Sequence, residues 1–361
     1  MLYLIIGTKG QFVKMFPLMK LLDEEHVPFL FVHTGQHFSI INRNIARLNI
    51  RPPDIFLSHK KKDLAHIGEF VLWALRVLEK AKAVLHILPD DYVITHGDTE
   101  STLLSLIIAK YFRAKVIHVE SGLRSGDMLN PFPEEIIRRV VCNFADICFC
   151  PTTADAKNIR SGIEKYVTEG NTVFDSIKLA LAQKPSLQAE QYMKQKYILF
   201  LVHRKENLFR GTRKKEILFI LEKILQTGNA VAWVLHENTK HEFKKSHLWD
   251  IVMTYTKKYH LSLVDSFFDY VDFMHIIKNS RFVVSDGGGL QEETYVLNKP
   301  MLILRTKTER TWGIGETAYL SGLDGTKVNY FLENVHMFRR KKKIISYPSK
   351  MILNTLVTKF S

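Results

Sequence analysis

The sequence predicts an α/β protein of two domains, each built on a parallel sheet, and three observations lead there. At 361 residues the chain exceeds the usual size of one hydrophobic core. Short apolar, β-rich runs alternate with longer stretches of helical periodicity, the pattern of parallel sheets covered by helices on both faces. The alternation breaks at Ala182 to Gln195, where Gln, Lys, Pro and Ser accumulate between a helical stretch and a new strand. The expected domains are therefore residues 1–182 and 183–345, with 346–361 a tail or helix placed to pack back on the first. Open parallel sheets take ligands beyond the carboxyl ends of their strands, so a cleft between two facing domains is expected before any motif is read.

The first strand is expected at Leu2 to Ile6, ended by Gly7. It has no charged leader before it and no small-residue cleavage site behind it, so it reads as a strand and not a signal peptide. Further strands follow at Pro28 to Thr34, Tyr92 to Thr95 and Lys115 to Val119. In the second half they fall at Tyr197 to Val202, Val231 to Leu235, Leu261 to Val264, Phe282 to Ser285 and Met301 to Leu304. Between them Leu64, Ile67, Val71, Leu75 and Leu78 keep helical spacing, as do Ile217, Ile220, Leu221 and Ile224, and both stripes read as core faces. No stretch approaches the roughly 18 apolar residues that a spanning helix needs. The expectation is a cytoplasmic protein without membrane insertion.

Composition narrows the function classes. With 46% hydrophobic and 24% charged residues the chain is of ordinary globular type. The net charge of +14 is spread over short runs: Lys60 to Lys62, Arg213 to Lys215, Lys257 and Lys258, and Arg339 to Lys343. These runs lack the interleaved aromatics of single-strand binders, so they read as solvated basic surface and no nucleic-acid partner is expected. Cys142, Cys148 and Cys150 form no CxxC pair and read as buried thiols. His236 and His241 are five apart, not the four that put both on one helix face. No metal site is expected.

The chemistry-bearing residues stand where strands end. Tyr92 to Thr95 runs into His96-Gly97-Asp98-Thr99, which places a carboxylate beside a glycine that admits a ligand, although Asp98 could equally cap the next helix. The next strand ends in His118-Val119-Glu120-Ser121-Gly122-Leu123-Arg124. Then comes Asn130-Pro131-Phe132-Pro133-Glu134-Glu135, where the prolines hold a loop before a helix that starts at Glu134. Three carboxylates converging in this way suit a general acid and a general base, for proton abstraction or glycosidic-type cleavage. In the second half Asp286-Gly287-Gly288-Gly289 opens a helix whose bare N–H groups suit phosphate oxygens, a tight turn being the alternative. His203-Arg204-Lys205-Glu206-Asn207 also follows a strand. Gly7-Thr8-Lys9-Gly10-Gln11 forms a glycine loop after the first strand.

In order and spacing these segments resemble the non-hydrolysing UDP-N-acetylglucosamine 2-epimerase family, from Gly7-Thr8 to Thr308-Glu309-Arg310. Gly170-Asn171-Thr172 and Gly288-Gly289-Leu290-Gln291-Glu292-Glu293 belong to the same pattern. The resemblance implies two Rossmann-like domains of the glycosyltransferase-B type, the second holding UDP. It also implies an isomerase without cofactor or metal, which eliminates UDP to a 2-acetamidoglucal and adds it back after the C2 proton returns on the other face. Asp98, Glu120 and Glu134 match its acid and base groups, and His203 a residue near the leaving diphosphate. Lys9, Arg138, Gly287, Gly288, Gly289, Glu292, Glu293 and Arg310 match substrate-binding positions. Gln36, His37, Arg204 and His236 resemble a second, allosteric nucleotide-sugar site, and a homodimer is implied. A hydrolysing relative, a glycosyltransferase on a UDP-sugar and a weakly active nucleotide-sugar sensor are the alternatives. The pattern is broken where Lys9 replaces an arginine, Gly10 and Gln11 a proline and a glutamate, Ile137 an asparagine, Gly287 a serine, and Thr311 and Trp312 a proline and a glutamate.

Overall fold

The computed structural model describes residues 1–58, 67–128, 132–209, 211–265, 268–308 and 310–360. Lys60 to Lys62, Leu64, Asn130, Pro131 and Glu309 lie outside the described residues. The chain divides into two compact units, one of 1–180 with 345–361 and one of 181–344.

The first unit carries β1 (Leu2–Ile6), β2 (Phe29–His33), β3 (Ile55–Phe56), β4 (Tyr92–His96), β5 (Lys115–Val119), β6 (Ile147–Cys150) and β7 (Glu164–Val167). They pair in the order β3-β2-β1-β4-β5-β6-β7, and every pairing is parallel. The four strands read from the sequence are all present. β3, β6 and β7 were not read: β3 is two residues long, β6 is a four-residue run half made of cysteine, and β7 alternates charge at the sheet edge. The order turns back between β1 and β4, a switch point at which loops diverge and leave room for a ligand.

Helix Ile67–Val84 requires a correction. Val71 and Leu75, expected on its core face, are 49% and 58% exposed. Trp73, Val77 and Ala81 are buried instead, and Leu78 packs partly against the same core. Both stripes obey helical spacing; the Trp73 stripe prevails because an indole removes far more apolar area from water than a valine. The helix Pro348–Phe360 belongs to this unit and packs on helix Lys9–Glu24. Ser349 N–H donates to Asp175 at 2.8 Å, and Lys359 pairs with Glu164 at 2.5 Å. All three cysteines are buried and free, and burial pushes the Cys150 thiol up to about 12, which leaves it inert.

The second unit carries β8 (Ile198–Leu201), β9 (Val231–Leu235), β10 (Leu261–Asp265), β11 (Val283–Ser285), β12 (Met301–Ile303) and β13 (Ala318–Leu320). Their order is β10-β9-β8-β11-β12-β13, again parallel throughout. Ile217, Ile220, Leu221 and Ile224 are fully buried on helix Gly211–Leu225, as their spacing predicts. Trp233 meets Phe200 and Phe243 edge-on at centroid distances of 5.3 and 5.4 Å, a geometry aromatic pairs prefer.

Candidate active site

In the first unit β4 and β5 run side by side with Thr95 opposite His118 and His96 opposite Val119. The residues after both strands therefore leave the sheet at one edge. Three left-handed positions turn the chain there: Gly97 at φ +71°, Glu120 at φ +64° and Gly122 at φ +86°. For Glu120, which has a Cβ, this conformation costs about 1–2 kcal/mol. Its carboxylate is 6% exposed and lies 2.6 Å from Lys14 Nζ and 3.0 Å from His96 Nε2. Burial lowers the pKa of His96 against the pull of Glu120. The 3.0 Å approach of His96 Nε2 to the carboxylate is a close contact without hydrogen-bond alignment, whereas Lys14 Nζ donates to Glu120 directly. His118 Nε2 lies 2.7 Å from the Gly97 carbonyl, an atom that only accepts, so this nitrogen donates and braces the turn before Asp98.

Asp98 accepts from Arg138 Nη2, and the same guanidinium donates through Nη1 to Glu135. Arg138 is 3% exposed, Glu135 0% and Asp98 22%. Glu135 also accepts from Arg139 Nε at 2.9 Å and from Ser125 N–H at 3.2 Å. One buried fork thus ties an interior carboxylate to one that reaches solvent, a rigid bidentate role that lysine could not fill. Glu134 is the first residue of helix Glu134–Phe144 and is half-buried; Glu135 is the inward member of the pair. Ile137 sits in the hydrophobic core of this unit, which accounts for an apolar side chain at that position.

The loop after β1 is held by a capping box: Gln11 N–H donates to Thr8 Oγ1, and Gln11 Oε1 accepts from Gly7 N–H at 3.0 Å and Thr8 N–H at 3.2 Å. Gln11 Nε2 donates onward to the His96 carbonyl at 3.0 Å and to Thr102 Oγ1 at 3.1 Å. A glutamate could cap but has no hydrogen for His96, so the amide couples this loop to the end of β4. Lys9 N–H donates to His37 Nδ1 at 3.1 Å, and Gln36 accepts from Ser101 Oγ. Gly7 is obligatory, since a Cβ there would come within 2.0 Å of Ser101 Oγ.

In the second unit Asp286, fully buried at the end of β11, accepts from His203 N–H at 3.1 Å, Arg204 N–H at 3.0 Å and Asn207 Nδ2 at 3.0 Å. It thereby fixes the turn after the neighbouring strand β8. Gly287 caps helix Gly288–Val296, whose first turn leaves backbone N–H groups and the positive dipole end for an anion. A Cβ on Gly287 would stand 3.0 Å from His203 Cε1, so the bare backbone leaves the imidazole its place. The His203 ring lies 3.4 Å from Asp286 Oδ1 through Nδ1 and has its centroid 5.2 Å from that of His236. Glu292 is fully buried and pairs with Arg310 at 2.8 Å, while Glu293 is half-buried. Gln291 Nε2 donates to the carbonyls of Arg310 and Trp312 at 3.0 and 2.8 Å, and Trp312 packs on Tyr295 at 5.5 Å.

Sequence reasoning missed Lys14, His96, Glu135 and Asp286. His96 and Asp286 stand beside glycines already singled out, and Glu135 is three residues before Arg138 on one helix face; those signals were available. Nothing local marked Lys14, which meets Glu120 across 106 residues. Among the described residues no group of three or more His, Cys, Asp or Glu is placed to hold a metal ion, and no helix is long and apolar enough to cross a membrane.

Comparison with known proteins gives a consistent result. The profile of a family described as UDP-N-acetylglucosamine 2-epimerase matches residues 19–345. A UDP-N-acetylglucosamine 2-epimerase of Salmonella typhimurium is 30% identical, over 90% of this chain and 87% of its own. One from Bacillus subtilis is also 30% identical, over 89% and 83%. Among solved structures, the Methanocaldococcus jannaschii UDP-GlcNAc 2-epimerase in complex with UDP-GlcNAc and UDP superposes with a TM-score of 0.83 at 27% identity, covering 99% of both chains. The Neisseria meningitidis UDP-GlcNAc 2-epimerase bound to UDP-GlcNAc gives 0.83 at 25%, with the same coverage.

Proposed function

The chain belongs to the UDP-N-acetylglucosamine 2-epimerase family, and from that premise we propose that it inverts C2 of a UDP-2-acetamido sugar, interconverting UDP-N-acetylglucosamine and UDP-N-acetylmannosamine. A carboxylate removes the C2 proton, the bond from C1 to the diphosphate oxygen breaks, and a 2-acetamidoglucal and UDP are formed. Return of a proton to the opposite face of C2 and re-addition of UDP at C1 complete the inversion.

The observation that carries this reading is the pair of carboxylates on adjacent strand ends, each with its own basic partner: Glu120 with Lys14 and His96, Asp98 with Arg138. Differently partnered carboxylates are what acid and base roles require. Asp98, Glu120 and Glu134 are the proposed proton-transfer groups. In the second unit the amides at Gly288 and Gly289 are the proposed diphosphate donors, with Gly287, Arg310 and His203 beside them. Glu292, which pairs with Arg310, or Glu293 is the carboxylate proposed for the ribose. Lys9 and Arg138 are proposed substrate-side cations, Arg138 through its hold on Asp98.

The same reading includes a homodimer, a cytoplasmic location and supply of a sugar donor for surface polysaccharide. Regulatory nucleotide-sugar binding is proposed at Gln36 and His37 in one unit and at Arg204 and His236 in the other. The test is incubation with UDP-N-acetylglucosamine in heavy water, followed by NMR of the C2 position. Deuterium at C2 with UDP still attached is expected. Free UDP with released sugar would replace epimerisation by hydrolysis, and unlabelled substrate would refute proton transfer at C2.

A further inference from the structure

The edge of the second sheet opposite the glycine loop carries a separate pocket of about 660 Å³. Its lining comes from residues just before strands: Lys196 before β8, Asn229 before β9, Ser280 to Phe282 before β11 and Lys299 before β12, with Arg339 from the segment after the last helix of the unit. Four cations line it, Lys196, Arg281, Lys299 and Arg339, against one carboxylate, Glu333. Among the described residues none of the four pairs with a carboxylate.

Lys299 is the informative member. It is 8% exposed, and its ammonium donates to the carbonyls of Lys278 at 2.9 Å and Ser280 at 2.5 Å. An ammonium has three hydrogens, so one remains after both carbonyls are served. Burial, and after it the charges of Arg339 and Lys196, lower its pKa to about 8. A buried lysine crowded by like charges is costly unless an anion offsets them.

We propose that this pocket is a binding site for a small, multiply charged phosphate anion of the pyrophosphate class, held by Lys299 from within and by Lys196, Arg281 and Arg339 at the rim. The excess of cations over carboxylates matches a pyrophosphate rather than a single carboxylate, and the arginines supply forked donors for its oxygens. The apolar wall of Phe282, Leu332 and Val335 leaves room for an organic group attached to the phosphates. The site is independent of the epimerase reading, since it lies at the amino ends of strands whose carboxyl ends carry Gly288.

The experiment is calorimetric titration of the full chain with inorganic pyrophosphate, with ADP as a second titrant. A saturable site is expected that is weakened at least tenfold in Arg281→Ala/Arg339→Ala, whose side chains are exposed and lie at the other end of the strands from Gly288, so binding at the glycine loop stays unchanged in the variant. At pH 8 binding should take up about half a proton as Lys299 becomes fully charged, and Lys196→Ala should weaken binding without removing that uptake. Tighter binding of ADP would assign the phosphates to a nucleotide, and tighter binding of pyrophosphate to the free anion. Absence of a saturable site, or affinity unchanged in the double variant, overturns the proposal.

Discussion

Replacing Arg138 with methionine removes the fork that joins Glu135 to Asp98, and its cost can be worked from burial. Glu135 is 0% exposed and Arg138 3%, so the pair is interior, and removing one partner of an interior pair costs about 3–5 kcal/mol. Glu135 keeps Arg139 Nε and Ser125 N–H, which places the loss near the lower end, about 3 kcal/mol. Asp98 is 22% exposed and can be solvated, so its share is about 1 kcal/mol or less. For a unit of this size such a loss lowers the melting temperature by about 6–12 °C. Turnover should fall separately, by about 100-fold, because Asp98 is no longer oriented. The double variant Arg138→Met/Glu135→Gln removes the stranded charge and should recover most of the stability but little of the turnover. Thermal melts and C2 deuterium exchange on the wild type, both single variants and the double variant complete the cycle. A loss below 1 kcal/mol in Arg138→Met, or turnover returning together with stability in the double variant, would refute the role given to Arg138.

Two glycines of the site should respond differently to alanine. Gly97 has open space where a Cβ would go, so Gly97→Ala should cost only the left-handed penalty of about 1–2 kcal/mol. Gly122→Ala would place a Cβ 2.2 Å from the Asp155 carbonyl oxygen and should cost clearly more in chemical denaturation; equal losses would contradict the packing described. Gln11→Glu restores the residue usual in the family but puts an acceptor where the amide donates to the His96 carbonyl and to Thr102 Oγ1, leaving the carbonyl to Thr102 Oγ1 at 2.7 Å. A loss of about 1–3 kcal/mol is expected, and a stabilised variant would disprove the coupling. His96 has its folded pKa lowered by burial, so the unfolded chain takes up a proton first as pH falls. Its contribution is complete above the unfolded value of about 6.5 and is lost from there down to the folded value. Melting temperature should drop over that window, and His96→Asn should flatten the slope; an unchanged slope assigns the effect elsewhere.

Much of the fold was legible because its causes are local. A buried parallel strand such as Val231 to Leu235 announces itself as an apolar run, and the helix over Ile217 to Ile224 by its spacing. Glycines at Gly97 and Gly122 mark turns through backbone preference alone, so the loops that carry the candidate carboxylates stood out in order. That order, with the residues in it, sufficed to identify the family. Strands β3, β6, β7 and β13 escaped because edge position and brevity dilute the same signal. The helix Ile67–Val84 offered two apolar stripes, and no local rule ranks Trp73 over Val71 and Leu75. The sequence by itself therefore determined the two-sheet architecture and the strand ends at which the candidate residues stand. Only the tertiary structure decided which base serves which acid: Lys14 reaches Glu120 across 106 residues and Arg138 reaches Asp98 across 40. Periodicity and backbone preference act over a few residues, whereas the pairing of buried charges depends on which elements the packed core brings together.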